Sequence, residues 1–404
     1  MQPESRTDRR AHRAAETARR RRRTYAVLAV VFAIAAVGSF AAQPRTAVDV
    51  PELDGVRGAV ALRYAFAFPD EDDAPLERPV GVVAAGERVY VVDSTAGVVR
   101  VYDDRGVERG VVGTGVLDVP VYAAVDTERG VLYVTDRAKR ALYLFGLDDG
   151  AIIGTLSPVA DEGSSIATAW APLAIAVGDS GALFVTDVLE RHRVLALEPD
   201  GRITREIAGP QAAIEATGVI VALDFPNAVR ATGDEVWVSD SNNKRALVFG
   251  VDGRFLRAVP MRALVRGFDF VPPLAGSAET TLVAFVDTLG SDISLVDLAG
   301  AARGRFGGMG GSAGRLAFPN DISVSAEGDT LYVADTGNRR VQVWDVIPAD
   351  AGAGSALLPS GLRDGRVLRV IAVLASALAL LMGALWLRTK RYAGGTERAR
   401  VDTE

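Results

Sequence analysis

Six times along this chain an apolar, strand-like run ends in aspartate: VYVVD at Asp93, LYVTD at Asp136, LFVTD at Asp187, VWVSD at Asp240, VAFVD at Asp287 and LYVAD at Asp335. Successive acids are 43, 51, 53, 47 and 48 residues apart. Self-similarity at that period marks an array of supersecondary units, a propeller or a solenoid, rather than a doubly wound or sandwich fold.

Each unit reads as a strand, a turn, the acid-ended strand, a loop, a third strand and a Gly-led outer strand. In the last unit the first five parts are NDISVS, AEGD, TLYVAD, TGNR and RVQVWD. Apolar residues at period two identify the strands, and Gly-Asp pairs such as Gly328-Asp329 and Gly233-Asp234 supply the turns. Outer strands start at Gly106, Gly150, Gly201, Gly253 and Gly300, but none follows Trp344. VALRYAFAF, Val60 to Phe68, precedes the first unit and has strand character. It is expected to close the ring as the fourth strand of the sixth blade, because an open ring leaves two sheet edges unpaired. The expected fold is all-β, a six-bladed β-propeller flanked by two transmembrane α-helices.

The units resemble NHL repeats of the six-bladed kind, most clearly in FGGMGGSAGRLAFPNDISVSAEGDTLYVADTGNRRVQVWDV (Phe306 to Val346) and FPNAVRATGDEVWVSDSNNKRALVFGVDGRF (Phe225 to Phe255). The resemblance implies that the strand-end acids Asp93, Asp136, Asp187, Asp240, Asp287 and Asp335 are structural and pair with a basic residue on the next strand. It offers Lys139 or Arg140 for Asp136, Arg191 or Arg193 for Asp187, Lys244 or Arg245 for Asp240, and Arg339 or Arg340 for Asp335. The expected partners are Arg140, Arg191, Arg245 and Arg339. Units one and five carry Gly97 and Ser291-Asp292 where the pattern calls for a base.

Charge is distributed in three compartments. Ten arginines against three acids give residues 1–45 a charge of +7, and residues 388–404 carry +2, which leaves −15 for the body of a chain whose total is −6. Two 18-residue uncharged apolar segments, Tyr25 to Ala42 and Val370 to Leu387, are each long enough to cross a membrane. Basic clusters abut the outer ends of both, so the positive-inside rule sets both termini in the cytoplasm and the array outside. The chain then divides into a basic cytoplasmic segment (1–23), transmembrane helix 1 (24–42), a linker (43–58), the propeller (59–347), a linker (348–368), transmembrane helix 2 (369–388) and a cytoplasmic tail (389–404). A cleaved signal peptide ending at Ser39-Phe40-Ala41 is the alternative for the first segment, and it also exports the array. With no cysteine in the chain, disulfides and Cys-containing metal or redox sites are excluded.

Four motifs invite chemistry. Gly178-Asp179-Ser180-Gly181 copies the surroundings of a protease nucleophile, but it falls where the other units carry a turn. His192 alone cannot form a multi-histidine metal site with His12 across the membrane, which removes the lyase chemistry of some related propellers. The Gly-rich run from Gly304 to Gly314 leads into a strand rather than the helix a phosphate loop requires. Asn227, Asn320 and Asp321 stand at the entrance of innermost strands, near the central channel, where oxygen atoms suit Ca²⁺ or another divalent cation. The segment around Asn320 is also similar to the gluconolactonase family, whose metal site uses an Asn there, although PN is common in plain NHL repeats and no matching Glu stands near the start of the array. Otherwise no cofactor is expected. Asp70-Glu71-Asp72-Asp73 reads as a solvated acidic loop.

The leading expectation is a non-catalytic scaffold or sensor at a bacterial cell membrane, binding an envelope or membrane protein, a peptide or a glycan. A metal-dependent lactonase and an accessory subunit of a respiratory or cofactor-assembly complex are the alternatives. The 17 residues after the second apolar segment are few for a kinase, so any effect passes through a partner. Nucleic acid is excluded as a partner, since phosphate would meet a −15 surface.

Overall fold

The acid-ended strand of each unit shows no polar alternation, which requires a place with strands on both sides and sheets stacked on both faces. The computed structural model supplies that place. It describes residues 60–70, 74–189, 191–207, 222–261, 264–274 and 281–348, all within the second of two units into which the chain divides, Ala47–Glu404.

Among the described residues there are six four-stranded antiparallel sheets. After β1 (Val60–Phe68), blade one is β2 (Pro79–Ala85), β3 (Arg88–Asp93), β4 (Val98–Asp103) and β5 (Glu108–Val112). Blade two is β6 (Pro120–Asp126), β7 (Val131–Asp136), β8 (Ala141–Gly146) and β9 (Ile152–Leu156). Blade three is β10 (Pro172–Val177), β11 (Leu183–Asp187), β12 (Arg193–Leu197) and β13 (Ile203–Ile207). Blade four is β14 (Pro226–Thr232), β15 (Glu235–Asp240), β16 (Arg245–Gly250) and β17 (Phe255–Pro260). Blade five is β18 (Val265–Val271), β19 (Leu282–Asp287), β20 (Asp292–Asp297) and β21 (Ala302–Gly307). Blade six is β22 (Asp321–Val324), β23 (Thr330–Asp335) and β24 (Arg340–Pro348), completed by β1.

Neighbouring innermost strands abut around the whole circle, with β22 meeting β2. The second strands are buried as their composition demands: β11 and β19 at every position, whereas the outer strands β5 and β9 are mostly exposed. Six apolar clusters follow, one at each junction between blades. Hydroxyls latch successive blades together, Thr135 Oγ1 donating to the Leu173 carbonyl at 2.7 Å, Ser239 Oγ to Val265, Thr288 Oγ1 to Pro319 and Thr336 Oγ1 to Pro79.

Ring closure takes the expected form. β1 runs antiparallel to β24 with Val60 opposite Pro348 and Phe68 opposite Val341. Arg63 Nη2 meets Asp345 Oδ2 at 2.6 Å, and the Tyr64 ring stands edge-on to Trp344 with centroids 5.9 Å apart. Among the described residues no helix is long and apolar enough to cross a membrane. Both apolar segments, Tyr25 to Ala42 and Val370 to Leu387, lie outside the described residues, as do Glu71, Asp72 and Asp73.

Candidate binding face and closed channel

The six repeat acids sit at one end of the ring, each closing a second strand, and all are buried. In five blades the carboxylate accepts backbone N–H groups from the loop entering its own blade: Glu77 and Arg78 for Asp93, Asp118 and Val119 for Asp136, Ala171 for Asp187, Asp224 for Asp240 and Ala317 for Asp335. Such bonds hold an otherwise irregular loop in place. In blade five the described bonds to Asp287 come from Leu289 and Gly290.

Cross-strand register selects the basic partners. Arg245 stands directly opposite Asp240 and Arg340 opposite Asp335; their Nε atoms reach those carboxylates at 2.7 and 2.9 Å. Arg193 likewise faces Asp187 at 2.8 Å and also binds Glu206 and the carbonyls of Ala167 and Ala169. Three expected partners are therefore corrected. Arg339 occupies the left-handed backbone position just before the strand, φ 57°, and gives its Nε to the Leu76 carbonyl instead of to Asp335. Arg140 has the same backbone turn, φ 50°, and the residue facing Asp136 is Ala141. Arg191 is exposed in its loop, two residues short of the facing position. In blade one Val98 faces Asp93, and Arg100 reaches it from one pleat further at 3.3 Å. Blade five sets Asp292 against Asp287; burial, then the neighbouring Asp292 carboxylate, push Asp287 above the ordinary range, while Arg305 holds Asp292 at 2.5 Å.

The channel contains groups that local motifs did not reveal. Tyr122, on β6 of blade two, reaches the diametrically opposite blade, its hydroxyl donating to the Arg266 carbonyl at 3.1 Å. Burial, and then the charge of Asp321, push this phenol far above its ordinary value, so it stays a donor. Arg230 of β14 donates to Asp321 Oδ1 at 3.2 Å and lies 3.8 Å from Asp269 Oδ1. Burial opposes the Arg230 charge, but Asp321 and then Asp269 outweigh it. Burial raises the Asp321 carboxyl to about 6 despite Arg230 and the Val82 amide. Asp269 also accepts the Val324 amide at 2.9 Å. Gly267 is required beside this cluster, because a Cβ there would collide with Asp321 of the next blade. The signal was a charged residue breaking an apolar inner strand, Arg230 in PNAVRAT and Asp269 in VRGFDFV.

Asn227 and Asn320 are both buried at the acid end, and Asp321 follows Asn320 into the ring. Asn320 accepts Arg266 Nη1 at 3.1 Å and donates to Thr336 at 2.8 Å. Asn227 makes no side-chain hydrogen bond among the described residues. These residues do not fit a cation site: Arg266 already donates to the Asn320 oxygen and Arg230 to an Asp321 oxygen, so two fixed positive charges face the proposed ligands.

The remaining motifs have local uses. Gly178 to Gly181 make the tight turn between β10 and β11, with the Gly181 amide on the Gly178 carbonyl. His192 lies at the other end of β11, where its Nδ1 accepts the Phe225 amide at 3.1 Å. The Gly-rich run crosses from β21 to β22 and is tied back by the Gly308 amide on the Ser291 carbonyl.

Residues 316–344 match the NHL repeat. No curated protein matches the chain significantly. Among solved structures, the ring is similar to an auxiliary nutrient binding protein from Bacteroides thetaiotaomicron, with 14% identity, 72% of this chain and 77% of that chain covered and a TM-score of 0.54. It is also similar to a streptogramin B lyase (15% identity, 71% and 98% covered, TM-score 0.47) and to the hydrazine synthase of Kuenenia stuttgartiensis (12%, 70% and 98%, TM-score 0.45). At these identities the likeness is one of fold. The chain is thus a six-bladed β-propeller whose last blade carries an NHL repeat.

Proposed function

We propose that this protein is a binding module tethered to a bacterial membrane on both sides of its propeller, with the ring outside the cytoplasm. The pairing of β1 with β24 carries the reading, because it brings the two ends of the propeller to one edge, Val60 against Pro348. Seventeen residues separate Val60 from the first apolar segment and 21 separate Pro348 from the second. The two connectors therefore leave the propeller from neighbouring strand ends, an exit compatible with two spans in one membrane.

Binding is favoured over catalysis by the use already made of the polar groups. Repeat acids hold loops, Arg230 is held between Asp321 and Asp269 in the channel, and Tyr122 bridges the channel between opposite blades. What such a ring offers a partner is a rigid face of loops. The partner proposed is an envelope or membrane protein or its peptide, and no cofactor is invoked.

The test is purification of the full chain from its own membrane in mild detergent, with mass spectrometry of companions and elemental analysis. A stoichiometric partner is expected. A solitary, metal-loaded monomer that turns over lactones would overturn the reading.

A further inference from the structure

We propose that the acid end of blades five and six is a docking site for the free carboxyl end of a peptide with apolar final residues. The proposal rests on the binding-module reading and names the face and the chemistry.

A cation that meets no counter-ion among the described residues supplies the polar half. Arg266, half-buried, takes the place at the start of β18 that Asn227 and Asn320 hold in the flanking blades. The equivalent positions of blades one to three are Val80, Val121 and Leu173, so the polar residues gather on one half of the ring. Seven other guanidiniums, those of Arg63, Arg100, Arg193, Arg230, Arg245, Arg305 and Arg340, each meet a carboxylate. Arg266 meets none among the described residues; one nitrogen donates to Asn320, and its buried Nε has no acceptor. A ligand carboxylate is the group that matches the planar fork of a guanidinium. Its backbone is anchored from below by Tyr122.

The apolar half lies in the β19–β20 and β21–β22 loops at the same end of the ring. Leu289, Met309 and Phe318 are 65%, 61% and 50% exposed, although the other large apolar side chains described in blades five and six are buried or partly buried. Ser291 gathers them: its carbonyl holds the Gly308 amide, its hydroxyl accepts the Phe318 amide at 3.2 Å, and Leu289 is two residues upstream. Phe318 has φ 49°, a strained conformation for a non-glycine residue, and lies two residues before the Asn320 that holds Arg266.

Charge and shape together select the occupant. Residues 46–387 carry a net −15, which repels a polyanion and leaves room for a single negative charge at Arg266. Side chains this exposed form a surface patch rather than the concave cavity that encloses a small molecule. An extended chain end presents a carboxylate and neighbouring apolar side chains at the spacing such a surface needs.

The experiment uses the full chain in nanodiscs and fluorescent hexapeptides ending in Leu-Phe or Val-Leu, each as free acid and as C-terminal amide. Fluorescence polarisation is expected to show the acids binding about tenfold more tightly than the amides. In Arg266→Gln that ratio falls to one, and in Arg266→Lys part of it remains. Leu289→Ser with Met309→Ser, both at exposed positions, weakens acids and amides together. Equal affinity of acid and amide for the unaltered protein overturns the proposal without reference to any variant, and so does failure of the whole panel to bind. Benzoate competing as well as the peptides reassigns the site to small acids, against the proposal. Peptide binding whose acid preference survives Arg266→Gln sinks the site while leaving the binding module intact.

Discussion

At the scale of the residue, position on the pleat outweighs chemical type. Asp187 is held by Arg193, which is 1% exposed and shares its donors among two acids and two carbonyls. Replacing Arg193 by Leu leaves a buried carboxylate uncompensated and is expected to cost about 3–5 kcal/mol in urea unfolding. Arg191→Ala, at an exposed site, should stay within about 0.5 kcal/mol. Blade two provides the converse test, since Ala141 faces Asp136 where blades three, four and six have arginine. Ala141→Arg is expected to gain up to about 1 kcal/mol, and a loss would show that register alone does not make the pair. Asp321 gives a pH signature. Its folded pKa, about 6, lies above its unfolded value, so the native state holds more protons between roughly pH 4 and 6 and its stability falls as pH rises through that window. Relative to Asp321→Asn, the unaltered protein should lose about 2 kcal/mol from pH 4 to 6.5 in chemical unfolding. Parallel pH profiles would exclude a raised carboxyl there.

At the scale of the element, the β1–β24 pair decides whether the array is a ring. Without β1, β24 becomes an open edge and Tyr64, Leu62 and Val60 leave the cluster they share with Trp344 and blade five. Cysteines at Ala61 and Ile347, which face each other in the register, can bond only with each other in a chain otherwise free of cysteine. The oxidised double variant is expected to unfold about 2–4 kcal/mol later than the reduced one, because the bond closes almost the entire propeller. No difference between the two forms would mean that the ends part before the blades melt. The blade junctions show why these strands tolerate a weakly alternating sequence: every second strand is sandwiched, so apolar residues suit both of its faces.

At the scale of the whole molecule, ring closure and two apolar segments make a topology that labelling can check. Thr95, exposed in the loop between β3 and β4, and Thr7, before the first apolar segment, are suitable sites for single cysteines. On intact cells a membrane-impermeant maleimide is expected to label Thr95→Cys and to spare Thr7→Cys until the membrane is opened. The opposite pattern would place the ring in the cytoplasm and remove the basis for an envelope partner.

What the sequence determined by itself was everything set by local rules: strand period, glycine turns, six units and the missing outer strand that β1 provides. These depend on a residue and its near neighbours, so each unit announced them separately. Even the acid pins were visible as repeated strand ends, and so was Arg245 as the partner of Asp240, although the other partners could not be chosen among neighbouring bases. Choosing Arg340 over Arg339, or Arg193 over Arg191, needed the side of the pleat on which each residue lands. That follows from a left-handed turn residue, or from loop length, and not from charge. The channel was decided by tertiary structure alone. Tyr122 and Arg266 are 144 residues apart and meet only because blades two and five oppose each other in a closed ring. Arg230, 91 residues from Asp321, is paired by the same geometry, while Arg266 meets no carboxylate among the described residues.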